Sequence, residues 1–285
     1  MQYGLELSNA DFAGDARTLA DLAALAEAAG WDGVFLEDYI VHWSGPAAPT
    51  YDPWVALAAM AMRTQRVRLG TTVTPLARRR PWKVARETVT LDHLSHGRLT
   101  LGVGLGDVSD PGFGAVGEVT DGKARAGRLD EALDVIVGLW SGEPFSYQGA
   151  HFQVQDMTFL PRPVQTPRIP IWVGGNWPNP GPIARAARWD GFVGGKVHAP
   201  DADWHLTPDE VRALIADIRR YRTGDAPFDI ALGGGEPVFD LEQERAMIRA
   251  VAAAGATWWM EFVPTSLGSL EAMRARIGRG PIRID

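Results

Sequence analysis

The 285-residue sequence contains no cysteine, so disulfides, thiolate metal centres and cysteine nucleophiles are excluded and a reducing compartment is expected. No stretch approaches the roughly 20 apolar residues of a membrane span. The opening residues, MQYGLELSNADF, lack the basic and then apolar pattern of an export signal, so a cytoplasmic protein without a membrane partner is expected. Positive charge is scarce. Twenty-eight Lys and Arg against 35 Asp and Glu leave a formal charge of -7, which argues against a nucleic-acid partner. Six histidines occur, but none forms a His-x-His or His-x-x-x-His pair at a strand end, and no metal site is expected. No nucleophile-elbow motif supports a Ser-His-Asp triad.

What the sequence does contain is organised around Val67 to Gly106. This segment reads as a buried strand, a turn with polar and cationic residues, an amphipathic helix and a second buried strand. Val67, Leu69, Thr71 and Val73 have the apolar, branched character of a strand covered on both faces, and Leu99 to Leu105 repeats it with glycines interleaved. The helix opens at Pro81 and closes at Ser95-His96-Gly97. Similar strand and helix pairs recur along the chain. Strands are predicted near Tyr3 to Leu7, Gly33 to Leu36, Ile169 to Val173, Gly191 to Val193, Asp229 to Leu232 and Trp258 to Val263. Eight strands, each followed by a helix, give a (β/α)8 TIM barrel as a single domain over 1–285, preferred to an open doubly wound sheet. Insertions are expected after the fourth and sixth strands, and a small hairpin around Gln148-Gly149 before the fifth. The glycine- and acid-rich segment after Gly106 reads as a mobile lid or binding loop, with disorder the alternative.

Barrels of this class carry their chemistry at the strand C-termini, which makes the strand exits the candidate site. They hold Ser8 and Asn9; Glu37, Asp38 and Tyr39; Thr72 and Thr74; Gly104, Gly106 and Asp107; Gly174, Gly175 and Asn176; Gly194, Gly195 and Lys196; Gly233 to Glu236; and Glu261. Glycine pairs after the fifth and sixth strands let backbone N–H groups approach a ligand, the usual recipe for holding a phosphate, with tight strand-to-helix turns the alternative. The run Gly102-Val103-Gly104-Leu105-Gly106 is not a dinucleotide fingerprint, because Asp107 stands where the third glycine is required. Of the eleven tryptophans, Trp43 and Trp177 fall just beyond strand exits and are candidate walls for a planar ligand, with packing the alternative. Arg78 to Arg80 form either a solvated turn or a seat for an anionic group.

Three segments resemble the bacterial luciferase-like flavin and deazaflavin oxidoreductases: Gly30 to Tyr39 (GWDGVFLEDY), Thr74 to Gly106 with its L-S-x-G-R-L-x-L-G-V-G approach to the fourth strand, and Pro161 to Gly195. The resemblance covers essentially the whole chain. It implies a barrel with FMN or the deazaflavin coenzyme F420 at the strand C-termini. The ring cradle would be Thr72, Val73 and Thr74, where deazaflavin members carry a non-prolyl cis peptide. Leu105, Gly106 and Asp107 would face the ring, and Gly174 and Gly175 the phosphate.

Departures accompany the likeness. The deazaflavin sugar-phosphate dehydrogenases place a catalytic histidine after the second-strand aspartate, whereas Tyr39 follows Asp38 here, and Asp107 stands for a glutamate. Lys196 matches their substrate-phosphate lysine. With FMN the family uses oxygen; with the deazaflavin it moves a hydride. Asp38, Tyr39 and His42 are the expected proton-exchanging residues, a mouth hydrogen-bond network being the alternative. A small-molecule substrate, a separate flavin or deazaflavin reductase and a homodimer are the expected partners. The competing readings are a flavin-holding protein without turnover and a flavin-free barrel isomerase or lyase.

Overall fold

The computed structural model describes residues 1–10, 14–42, 48–196, 205–233, 240–264 and 269–284. The strands in these segments are β1 (Gln2–Leu7), β2 (Gly33–Leu36), β3 (Arg68–Thr71), its short continuation β4 (Thr74–Pro75), β5 (Leu99–Gly104), β6 (Phe145–Gln148), β7 (Gln153–Met157), β8 (Ile171–Trp177), β9 (Gly191–Lys196), β10 (Asp229–Gly233) and β11 (Trp258–Val263). β6 and β7 form the expected antiparallel hairpin outside the main repeat. The others pair in parallel. β1 joins both β2 and β11, and β3 joins β5, so the sheet closes into a barrel.

Around it lie α1 (Ala16–Ala28), α2 (Pro53–Arg63), α3 (Pro81–Leu94), the single turn α4 (Pro111–Gly114), α5 (Gly122–Trp140), α6 (Pro180–Ala186), α7 (Pro208–Tyr221), α8 (Leu241–Ala254) and α9 (Leu270–Gly278). Local chemistry fixes their ends. Asp15 and Thr18 make a reciprocal capping box at α1, as Thr207 and Glu210 do at α7, and Asp52 caps α2 ahead of Pro53. α8 stops at Gly255, whose φ of 116° suits a residue without a Cβ.

Two apolar layers explain why the strands read as continuous hydrophobic runs. Outward residues such as Leu5, Leu7, Val34 and Leu36 pack under the helices, while Phe35, Trp172, Trp258 and Met260 point inward. Inside, Phe35 stacks on Trp172 with ring centres 5.3 Å apart, and Trp258 meets both rings edge-on. Small neighbours make room for these rings: a Cβ on Gly191 would stand 2.5 Å from Trp172. The aromatic plug closes the barrel below its mouth, so chemistry is confined to the space above. Truncating Trp172 would cost about 3–5 kcal/mol.

Two features depart from the sequence expectations, and between them stands one that the family resemblance implied, the cis peptide of the third strand. β8 and β9 run on through their glycines, pairing as far as Trp177 with Lys196, so these glycines are strand residues at the barrel rim. The third strand breaks at a cis peptide between Thr72 and Val73 before resuming as β4. The segment after Gly106 is pinned at its start: Asp110 pairs with Arg78, Arg125 donates to the Leu105 and Gly106 carbonyls at 2.9 Å, and Phe113 is fully buried between those two arginines. The mobile lid expected there therefore does not begin before α4.

Candidate active site

Two adjoining cavities open at the C-terminal ends of the barrel strands and share Thr72, Val73, Gly106 and Asp107. One encloses about 440 Å³ and reaches across β5, β8 and β9; the other, of about 130 Å³, lies toward β2. A larger groove of about 660 Å³ runs between α7 and α8 on the outer ring, at the strand N-terminal side, and touches none of the mouth residues.

The floor of the mouth is built by subtraction. Val73, turned inward at the break between β3 and β4, sits in a notch made by Gly104 and Gly174; a Cβ on either glycine would come within 2.6 Å of a Val73 methyl. Next to it, a Cβ on Gly194 would meet the Gly175 carbonyl oxygen at 1.9 Å. The result is a shelf of backbone and two valines, Val73 and Val193, with no aromatic side chain on it. Such a shelf fits a flat tricyclic ring, because only glycine leaves the backbone this open.

At the inner edge of the shelf stands Glu6. It occupies an inward position of β1 between the outward Leu5 and Leu7, and lines the larger cavity. Burial pushes its carboxyl up to about 8, with the negative charge of Glu37 adding to the rise and the Thr72 hydroxyl opposing it. Glu37 is itself raised, by burial, against the hydroxyl of Ser8. Glu6 is thus protonated at neutral pH beside a second carboxyl. Tyr39 faces the same group: burial first, then Glu37, Asp107, Asp110 and Glu6, raise its phenol far above its ordinary value. It remains a hydroxyl donor.

Below this lies a neutralised ionic network. Asp38, whose side chain is fully enclosed, pairs with Arg79 and accepts from the Thr74 hydroxyl at 2.9 Å. Thr74 Oγ1 also lies 3.0 Å from the hydroxyl of Thr71, which donates to the Gly102 carbonyl. Arg78 bridges the Asp38 carbonyl and the Asp110 carboxylate. Asn9 ties the loop above, donating to the carbonyls of Tyr39 and Tyr51 and accepting from the Tyr39 N–H. His42 is buried with its ring edge-on to Tyr39 at 5.0 Å.

The structure gathers most of the sequence-derived cradle in one place. Thr72, Val73, Gly104, Leu105, Gly106 and Asp107 line the larger cavity from one side; Gly174, Gly175, Asn176 and Gly194 line it from the other. Thr74 is buried behind the cradle, and Gly195 follows the lining residue Gly194 without itself lining the cavity. Trp177 faces outward instead of walling the mouth, since it stands five positions, an odd offset, from inward Trp172 on the same strand and its indole N–H donates to Asp217 on α7 at 3.0 Å. Lys196 is paired with Glu210 at 2.7 Å within the α7 capping box. Glu261 likewise points away from the mouth, to Arg276 of α9. Arg78 and Arg79 are committed to Asp38 and Asp110, so they offer no seat to an anion, while Arg80 is exposed ahead of α3. Trp43 and the Gly234 to Glu236 exit lie outside the described residues. Sequence reasoning missed Glu6 and Arg185. A lone acid amid the apolar alternation of YGLEL was the signal for the first; nothing local marked the second.

Among the described residues no cluster of three or more His, Asp or Glu is arranged to hold a metal ion, and no helix is long and apolar enough to cross a membrane.

Comparison with known proteins agrees with this geometry. A family model described as luciferase-like monooxygenase matches residues 4–278. An F420-dependent glucose-6-phosphate dehydrogenase of Nakamurella multipartita is 35% identical over 243 residues, covering 80% of this chain and 66% of the relative. Its namesake from Microbacterium testaceum is 37% identical over 187 residues, covering 62% of this chain and 52% of the relative. The chain thus spans between half and two thirds of the length of these curated relatives. Among solved structures, a monooxygenase from Streptomyces bottropensis superposes with a TM-score of 0.73 at 22% identity, covering 98% of both chains, which speaks for the barrel alone. The chain belongs to the luciferase-like monooxygenase family.

Proposed function

We propose that the protein is an oxidoreductase that binds the deazaflavin F420 on the Val73 shelf and exchanges a hydride with a small organic substrate. The observation that carries this reading is the conjunction of a glycine-rich shelf free of large side chains with a protonated, enclosed carboxyl at its edge. When bound, the deazaflavin gives or takes the hydride, so that a protein group must give or take the accompanying proton. Glu6 is the group suited to this. In the reducing direction its carboxyl donates the proton to the substrate heteroatom, and Glu37 beside it keeps that proton available near neutral pH. Tyr39, its phenol held protonated, lines the adjoining cavity as a hydroxyl donor for the same substrate. Asp38, proposed from the sequence as a proton carrier together with Tyr39 and His42, acts in this reading as an ion-pair partner: with Arg79, Arg78 and Asp110 it holds the second-strand exit in place.

The cofactor assignment leans on the relatives, whose names carry F420. Their glucose 6-phosphate is not carried over. The smaller cavity is walled by Glu37, Asp38, Asp107 and Asp110, and Lys196 is held by Glu210. A substrate without a phosphate suits this wall better. FMN-dependent monooxygenation, which would need a separate reductase to supply reduced flavin, is the second reading, supported by the family description. A homodimer completes the proposal, since Val55 and Met62 on α2 leave 67% and 66% of their surface exposed.

The test is a titration of purified protein with F420 and with FMN, followed by turnover of the reduced cofactor with carbonyl, imine and enone acceptors in the presence and absence of oxygen. F420 binding with oxygen-independent turnover is expected. Failure to bind either cofactor contradicts the reading; turnover only with FMN and oxygen replaces it with the second.

A further inference from the structure

The two mouth cavities are chemically lopsided. Their charged lining residues among those described are Glu6, Glu37, Asp38, Asp107, Asp110 and one base, Arg185. The segments outside the described residues, 11–13, 43–47, 197–204, 234–239 and 265–268, contain no lysine or arginine in their sequence. Arg78, Arg79 and Lys196 are not among the residues that line either cavity, and each is paired with a carboxylate. Among the described residues, the cation on this wall stands at one end of the larger cavity, where Arg185 lies with Gly174, Gly175 and Gly194.

Arg185 does not reach that place as a loose side chain. It projects from α6 and is gripped from behind by Asp130 of α5, Nε to Oδ1 at 2.6 Å and Nη2 to Oδ2 at 2.9 Å. Its side chain retains 9% exposure, whereas that of Asp130 retains 38%. The grip uses one edge of the guanidinium. Nη1 has no hydrogen-bond or ion-pair partner among the described residues, while the side chain itself forms part of the cavity wall. A planar fork fixed along one edge presents its remaining donors in a set direction, and that arrangement favours a phosphate oxygen over a diffuse anion.

We propose that Arg185, oriented by Asp130, is the phosphate clamp of this site and takes the phosphate ester of the cofactor: the monoester of FMN or the diester of F420. The inference rests on the cofactor reading above. It also fixes polarity. The phosphate lies at the β8–β9 end, the ring lies over Val73, and the substrate approaches from the carboxyl-lined side toward β2.

Four ligands separate the clamp from the ring site: FMN and riboflavin, and F420 and its phosphate-free deazaflavin riboside, each titrated by fluorescence quenching. Arg185→Gln should weaken FMN and F420 by about ten- to a hundredfold, the scale of a lost charge-assisted hydrogen bond. It should leave both phosphate-free ligands within about twofold. Asp130→Asn, which keeps the cation but loosens it, should give a smaller loss confined to the same two ligands. Equal losses for all four ligands, or no loss for any, overturn the clamp. Wild-type protein that binds none of the four overturns the cofactor reading and the clamp with it; wild-type binding that Arg185→Gln leaves unchanged overturns the clamp alone. Should Arg185→Gln lose its cooperative melting transition, Arg185→Lys carries the test, with a several-fold loss expected for the phosphate-bearing ligands only.

Discussion

Glu6 keeps its proton at a pH where ordinary carboxyls have lost theirs, because burial and the charge of Glu37 both penalise the anion. The sign of the stability effect follows. With a folded value of about 8 against an ordinary 4.5, the folded protein binds more protons than the unfolded chain between those limits, so Glu6's contribution is full below the lower limit and lost as pH rises toward the upper. Glu6→Gln should therefore match wild type near about pH 5 and exceed it by roughly 1–3 kcal/mol near pH 9 in urea unfolding. The same variant should lose reductive turnover without losing cofactor affinity. Asp38 offers the opposite case. Asp38→Asn strands Arg79 and unbalances Arg78, at a cost of about 3–5 kcal/mol, measurable by the same unfolding assay. Residue identities of this kind were partly readable in advance. Asp38 and Tyr39 stood at a strand exit and are where expected, but the pairing that neutralises Asp38 joins residues about forty positions apart. Trp177 failed as a mouth residue because β8 runs farther than its composition suggested, and one added residue reverses the face.

The elements follow ordinary signals more closely. Asp15, Asp52 and Gly255 mark helix ends where their side chains, or the lack of one, dictate them. The alternation of outward leucines with inward glycines and aromatics was legible as strand but not as a plug, since which inward side chains meet depends on closure. The break between β3 and β4 came from family likeness; its composition alone reads as uninterrupted strand. Its consequence can be measured. Gly174→Ala sets a Cβ at 2.6 Å from Val73, which must shift, and cofactor affinity should fall by about tenfold or more. Adding Val73→Ala makes room and should recover part of that loss, an interaction that a double-mutant cycle isolates. Gly181→Ala, with nothing within 4 Å of the new carbon, should leave affinity unchanged.

As a whole molecule, the protein is a barrel stoppered by Phe35, Trp172 and Trp258, with an acidic mouth, one clamped arginine at its far end and an apolar face on α2 left uncovered. A second copy is the proposed cover for that face, so Val55→Asp with Met62→Lys should halve the mass seen by light scattering while the melting temperature of the barrel persists. The central claim, that the Val73 shelf seats a deazaflavin for hydride transfer, is tested most directly by titrating the purified protein with F420 and FMN and then following reoxidation of the reduced cofactor by a panel of acceptors without oxygen. Saturable F420 quenching with anaerobic turnover is the predicted result. No binding of either cofactor would contradict the account.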